Sequence, residues 1–269
     1  MIDNATYEAI CNDFFPVFKK LAATDVYSIT LGGSHGKGLS DQNSDFDFRI
    51  YYEEPSAPEI RKPAFDEINQ LCTKWKAKNI SVDGIFPRTY AEVDAQLDLW
   101  LSGKGNLTPC VWTVWGYSIL TDIYNQKIIE DPHGKAAQWK QRLAAYPDAL
   151  KQAIVDQYSR SIQYWRSDYH YLNKVNRRDI VFCASIAARL VHNIIQIIYA
   201  LNEFYYPGDG MNLEYTRQFA IKPCNFEERV GGILYASMSD NGLKLQYENI
   251  MALIDDTVLL VNRHRNQRS

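Results

Sequence analysis

Apolar residues recur at helical spacing over residues 5–22, where Ile10, Phe14, Phe15, Phe18 and Leu21 share one side and Pro16 is expected to bend or restart the helix. A short β-rich run, VYSITL (26–31), ends in two glycines, and DFDFRIYY (45–52) alternates strictly, as a strand with one apolar face does. A Pro/Ser loop at 55–58 leads to a helix expected near 62–78, with Phe65, Ile68, Leu71, Cys72 and Trp75 on one side. ISVDGIF (80–86) reads as a third strand and RTYAEVDAQLDLWL (88–101) as another helix. Over 106–132 the pattern leaves helix and strand open, because VWTVWGYSIL mixes aromatic and β-branched residues; IIEDP (128–132) reads as a last short strand.

From about residue 135 the period-two pattern stops. Helical patterns run over 135–145, 148–173, 179–205, 226–236 and 243–263, punctuated by Pro147, Pro207-Gly208, Pro223 and Gly242. The fold class expected is α+β: a small mixed-sheet domain over 1–135, then an all-helical bundle domain over 136–269. On the 179–205 helix, Arg189, His192, Asn193 and Gln196 form a polar stripe that either faces solvent or lines a cleft. Tyr158, Trp165 and Tyr169 likewise read either as core packing or as a platform for a planar ligand.

Composition narrows the class. Of 269 residues, 46% are apolar and 23% charged, which excludes disorder, and the net charge of −3 argues against a nucleic-acid partner. Arg263, Arg265 and Arg268 read as a solvated end. Five scattered cysteines, Cys11, Cys72, Cys110, Cys183 and Cys224, show no C-x-x-C spacing and fit reduced thiols. The first residues lack a basic segment followed by an apolar run, so no signal peptide is expected. The apolar stretch 180–201 is interrupted by polar residues and reads as a packed helix, not a membrane span. A cytoplasmic protein without membrane contact is the expectation.

The informative segment is LGGSHGKGLSDQNSDFDFRIY (31–51). Gly32 and Gly33 end a strand, where missing side chains let backbone N–H groups approach a ligand. Ser34 adds a hydroxyl, and Gly36, Lys37 and Gly38 continue a loop suited to phosphate. Asp45 and Asp47 then stand two apart, so both carboxylates project from one face. Side by side they repel each other, and a divalent cation removes the conflict. Mg²⁺ is typically held by one or two carboxylates together with phosphate oxygens and water, so a phosphate loop beside this pair implies nucleotide chemistry. Displacement at phosphorus commonly uses two metals, with a third carboxylate on the attacking side. Asp83, in the next expected strand and flanked by apolar residues, is the candidate.

GGS (32–34), Gly38 and SDFD (44–47) resemble the signature of the DNA polymerase β-like nucleotidyltransferases. The eleven positions from Ser34 to Asp45 are similar to the spacing in small antibiotic-modifying members, and Lys37 stands where many relatives carry Arg. The helical half, with LNEFYYPGD (201–209), resembles the C-terminal domain of aminoglycoside and lincosamide nucleotidyltransferases. Relatives place a nucleotide-contacting Lys after that turn; here Gly210, Met211 and Asn212 follow, and Lys222 is the substitute. The resemblance implies a catalytic set of Asp45, Asp47 and Asp83, all three also as metal ligands, and nucleotide contacts from Gly33, Ser34, Lys37, Ser44 and Lys222. It implies two Mg²⁺ ions, replaceable by Mn²⁺, ATP as co-substrate, and AMP transfer to a hydroxyl of a small acceptor such as an aminoglycoside or lincosamide antibiotic. A homodimer is compatible with it. The alternatives are nucleotidyl transfer to protein or tRNA, and a catalytically silent nucleotide-binding protein.

Overall fold

The structure is a computed structural model and describes residues 3–42, 44–107, 116–208, 212–235, 237, 239 and 241–266. Its first strands and helices are α1 (Asn4–Lys19), β1 (Tyr27–Leu31), α2 (Gly33–Lys37), β2 (Phe46–Tyr52), α3 (Pro58–Lys76), β3 (Val82–Thr89) and α4 (Tyr90–Leu101). A single 3₁₀ turn at Gly116–Ser118 leads into α5 (Ile119–Asn125), β4 (Lys127–Glu130) and α6 (Lys135–Arg142). The rest is helical: α7 (Asp148–Ser167), α8 (Tyr169–Asn176), α9 (Ile180–Leu201), α10 (Asn212–Thr216), α11 (Phe226–Leu234) and α12 (Gly242–Asn266). The fold class is therefore α+β, with a small mixed sheet followed by helices, and among the described residues no strand follows β4.

The sheet has the order β3-β2-β1-β4. β1 is antiparallel to β2 and β4, while β2 and β3 run parallel, joined across α3. The alternation of β2 divides it into two faces. Phe46, Phe48, Ile50 and Tyr52 join Ile29 and Leu31 of β1 in a core covered by Ile10, Phe14, Val17 and Phe18 of α1 and by Ala64, Ile68 and Trp75 of α3. The opposite face carries Asp47, Arg49 and Tyr51, with Ser28 and Thr30 beside them on β1. Polar groups there are paired within the fold: Thr30 Oγ1 and Tyr51 OH both donate to Gln126 Oε1, at 2.6 and 3.0 Å, and Ser28 Oγ donates to Asp131 Oδ1 at 2.7 Å.

Several boundaries differ from the expectation for local reasons. α1 runs through Pro16, since Phe14, Val17 and Phe18 anchor the chain to the core on both sides of it. α3 begins at Pro58, a residue suited to a first helical position. β3 extends to Thr89 because a capping box starts α4 there: Thr89 N donates to Glu92 Oε2 at 2.7 Å, and Glu92 N to Thr89 Oγ1 at 3.2 Å. The helix expected over 148–173 breaks at Asp168, whose carboxylate accepts from His170 N and starts α8. In the ambiguous stretch, 116–125 is helical and 127–130 is strand, while Cys110 and the rest of 108–115 lie outside the described residues.

The chain gathers into two units, Met1–Leu99 with Ile119–Ala145, and Trp100–Ser118 with Tyr146–Ser269. A single cut at 135 misses this interleaving. α6 belongs with the sheet because Trp139, fully buried, sets its ring edge-on to Tyr51 and Tyr90 and donates its indole N–H to Asp94. Residues 100–107 belong with the helices: Tyr158 OH and Gln157 Nε2 both donate to Leu107 O. In the second unit α9 packs against α7, α8, α11 and α12. By length and composition α9 could cross a membrane, yet Asn193 and Gln196 are buried within the unit and Asn193 Nδ2 donates to Ser161 Oγ of α7 at 2.9 Å.

Trp139→Ala should cost the first unit about 3–5 kcal/mol, the range for deleting a large buried aromatic. Urea denaturation would read the loss; an unchanged midpoint would detach α6 from that unit.

Candidate active site

The site begins where β1 ends. Gly32 N donates to Asp47 O at 2.8 Å, which ties the loop after β1 to the start of β2. Gly33 has φ +56, and a Cβ on it would lie 1.8 Å from Asp47 Oδ2. Two constraints thus meet at one residue, a left-handed backbone and no room for a side chain. The chain then makes the single turn of α2, closed by Gly36 N donating to Gly32 O at 2.7 Å and Leu39 N to Ser34 O at 2.9 Å. The Ser34 hydroxyl is buried without a hydrogen-bond partner among the described residues. Lys37 ends the turn and makes no ion pair among the described residues. His35 stacks on Phe46 with ring centroids 4.4 Å apart, and burial lowers its pKa; it packs the loop down onto the sheet.

Three acidic residues lie at the starts of β2 and β3. Asp45 is half-buried just before β2, and Asp47 lies two residues on with a fifth of its side chain exposed. Asp83 is the register partner of Asp47 across the parallel β2–β3 ladder, and it is exposed. Burial pushes the Asp47 carboxyl from 3.8 to about 6; Arg49 opposes the rise, while Asp45, Asp122 and Asp83 add to it. That accumulation of negative charge beside an unpartnered hydroxyl suits a divalent cation and a phosphate. Among the described residues no group of three or more His, Cys, Asp and Glu side chains gathers closely enough to hold a metal. Asp45 and Asp47 therefore fit a cation that takes its other ligands from phosphate oxygens and water, and Asp83 is not drawn into a three-carboxylate cluster with them.

Two residues absent from the sequence reading complete the centre. Arg49, two positions past Asp47 on the same face of β2, is buried and sends Nε to Asp122 Oδ2 at 3.1 Å and Nη2 to Asp122 Oδ1 at 3.3 Å. Its Nη1 stands 3.6 Å from Asp47 Oδ1. Phe86 lies under the guanidinium, 4.7 Å from ring centroid to Arg49 Cζ. The ladder makes that contact by slipping: Asp47 pairs with Asp83 but Arg49 pairs with Phe86, so β3 contributes one extra residue. A Cβ on Gly32 would meet Asp122 Oδ1 at 2.8 Å and the Arg49 guanidinium at 3.2 Å, so the loop backbone rests directly on the ion pair. The parity of Arg49 in DFDFRIYY marks it as inward-facing, a signal available in the sequence. Asp122 fell in the stretch whose pattern decides nothing.

Other expected residues are engaged elsewhere. Ser44 Oγ accepts from Asp41 N at 2.9 Å and donates to Asp41 Oδ1 at 3.1 Å, closing the turn before β2. Lys222, in the second unit, donates to Thr216 O at 2.8 Å, Arg217 O at 3.2 Å and Glu227 Oε1 at 2.7 Å. Those three contacts use all three ammonium hydrogens, so Lys222 staples α10 to α11, and its assignment as a nucleotide contact is corrected accordingly. Asp209, Gly210 and Met211 lie outside the described residues. The stripe on α9 does not face solvent as a unit: Arg189 is exposed, whereas Asn193 and Gln196 are buried. His192, beside Gln196 at 3.3 Å, has its pKa lowered to about 4 by burial. Tyr158 is buried but Tyr169 is 77% exposed, so that aromatic series forms no single surface.

Residues 11–95 match the family model described as a nucleotidyltransferase domain, and residues 112–210 match one described as a domain of unknown function (DUF4037). No curated protein matches the chain. The first match supports placing that part of the chain, which contains the glycine loop and all three aspartates, in the DNA polymerase β-like nucleotidyltransferase superfamily; the second fits a further, C-terminal domain.

Because the folded chain resists ionising Asp47, its charge costs stability, and the cost has a defined pH window. It is absent below about pH 4, where the carboxyl is protonated in both states, grows to about pH 6, and is constant above. Asp47→Asn removes it and should stabilise the metal-free protein at pH 7–8 by up to about 3 kcal/mol, with no gain at about pH 4. Denaturation midpoints in EDTA across that range would show the difference opening between the two; an Asn variant less stable at pH 7 would contradict the assignment.

Proposed function

Starting from a nucleotidyltransferase domain, we propose that this protein is a cytoplasmic enzyme that moves AMP from ATP to a hydroxyl of a small acceptor. What carries the reading is the contact between Gly33 and the Asp47 carboxylate, which sets a side-chain-free loop and an orphaned Ser34 hydroxyl against a charged pair. Asp45 and Asp47 would hold Mg²⁺, two ions in the full arrangement with Mn²⁺ able to replace them; the bound metal neutralises charge on the triphosphate. Gly33, Ser34 and Lys37 hold the phosphates, the first by its bare backbone, the second by its hydroxyl and the third by its charge.

In the reaction the acceptor oxygen attacks the α-phosphorus, the bond from that phosphorus to the bridging oxygen breaks, and pyrophosphate leaves. The acceptor's proton goes to Asp83, which lies beside Asp47 in the ladder and is exposed. The net charge of −3 favours a small molecule over a nucleic acid. In the second unit, Tyr117, His192, Gln196 and Tyr206 form a polar aromatic cluster in which Gln196 Oε1 has no hydrogen-bond partner among the described residues. Aminoglycoside and lincosamide antibiotics, the acceptors of the nucleotidyltransferases that the helical half resembles, are the first to try.

Calorimetry should find ATP bound appreciably with Mg²⁺ or Mn²⁺ and poorly in EDTA; equal affinity in both would count against the carboxylate pair as the metal site. Asp83→Asn should lower kcat by about 10²–10⁴, the range for losing a general base, while Mg·ATP affinity is kept. Affinity collapsing together with kcat would move Asp83 to the nucleotide side. Labelled ATP offered with antibiotics, tRNA and protein extracts, read by mass spectrometry, identifies the acceptor; label reaching only tRNA or protein would overturn the small-molecule assignment, and no ATP consumption would mark a silent nucleotide-binding protein.

A further inference from the structure

Arg49 meets two carboxylates and treats them differently. Asp122 receives two hydrogen bonds, Nε at 3.1 Å and Nη2 at 3.3 Å, while Asp47 faces only Nη1, at 3.6 Å. That nitrogen is also turned towards Phe48 O, 3.4 Å away. Phe86 covers a face of the guanidinium and the Gly32 backbone rests against it, so with 3% of its side chain exposed Arg49 is almost wholly removed from water. We infer that Asp122 is a positioning residue for the metal-binding carboxylate: by gripping Arg49 it keeps the guanidinium off Asp47, whose oxygens stay open to a divalent cation.

The reasoning follows from the geometry of the fork. A buried guanidinium that loses one carboxylate pairs with the other, because charge-assisted bidentate contacts are the strongest it can make. Bidentate pairing with Asp47 would occupy the two oxygens that a cation needs, and the same rotation would lift the support from beneath Gly32. Asp122 itself is buried and lies behind the glycine loop, so its action is exerted through Arg49 and not on the nucleotide. This rests on the reading of Asp45 and Asp47 as metal ligands and extends it to two residues with no part in the resemblance.

The test is Mn²⁺ binding to the full chain, followed by electron paramagnetic resonance in the presence of a non-hydrolysable ATP analogue. Asp122→Asn, nearly isosteric, should weaken Mn²⁺ binding about tenfold or more, as the loss of groups that orient metal ligands does. The double variant Asp122→Asn/Arg49→Met should bind Mn²⁺ at least as tightly as the wild type, because the competitor is gone together with its restraint. Damage to the fold alone would not be repaired by a second substitution. Wild-type affinity in the single variant, or persistent weakness in the double one, overturns the proposal. If the single variant does not fold, the double variant still decides, a tenfold loss there being fatal. A wild-type protein that binds no Mn²⁺ would instead bring down the metal site itself, whereas a failure of the Asp122 role alone leaves wild-type binding intact.

Discussion

A guanidinium sealed from water has to be met by charge, and this constraint shapes the sheet around Arg49. Removing one partner from such a buried pair commonly costs about 3–5 kcal/mol. The fold meets the demand from three directions. α5 delivers Asp122, β3 takes in one extra residue so that Phe86 slides beneath the charge, and the loop after β1 gives up a side chain at Gly32 to lie against the pair. Asp47 shares in the same field. Its carboxyl is harder to ionise than usual although an arginine stands beside it, because burial outweighs that arginine's pull and the neighbouring carboxylates of Asp45, Asp122 and Asp83 add to the rise.

The rest of the first unit follows from asking one strand to serve two environments. β2 places aromatic and aliphatic side chains under α1 and α3 on one face, and on the other face carboxylate, guanidinium and phenol in turn. Tyr51 extends this polar face away from the site into a network with Thr30 and Gln126, and Lys140 donates to Gln126 O at 2.7 Å. The second unit buries polar groups too: Asn193 of α9 donates to Ser161 of α7 at 2.9 Å, and Lys151 of α7 donates to Glu203, in the turn after α9, at 2.5 Å.

Most of the architecture is written in local pattern. DFDFRIYY declares a two-faced strand, the long 3.6-residue periodicities declare the helices after 135, and GGS followed by SDFD declares the loop and its acids. What stayed hidden was tertiary. Lys222 looked available because it is basic and follows a Pro-Gly turn, yet the carbonyls that hold it lie at and just past the end of a five-residue helix no periodicity can reveal. The Arg49–Asp122 pair joins residues 73 positions apart, and no spacing rule links them. The polar stripe on α9 misled for a related reason: helical spacing tells which side chains share a face, not whether another helix covers that face.

The interleaving of the two units also sets an order of assembly on the ribosome, where the chain emerges from its N-terminus. The first ninety-nine residues provide three strands, the glycine loop and Arg49, but neither Asp122 nor β4, which pairs with β1. Until residues 119–145 appear, β1 keeps an open edge, the kind of surface on which strands of other chains add. Residues 100–118, which belong to the helical unit, are synthesised in between. The nascent catalytic half therefore waits, with an exposed strand and an unmet buried charge, while a piece of its neighbour passes through. Its vulnerable period is fixed by the path of the chain and not by the strength of any contact in the finished protein.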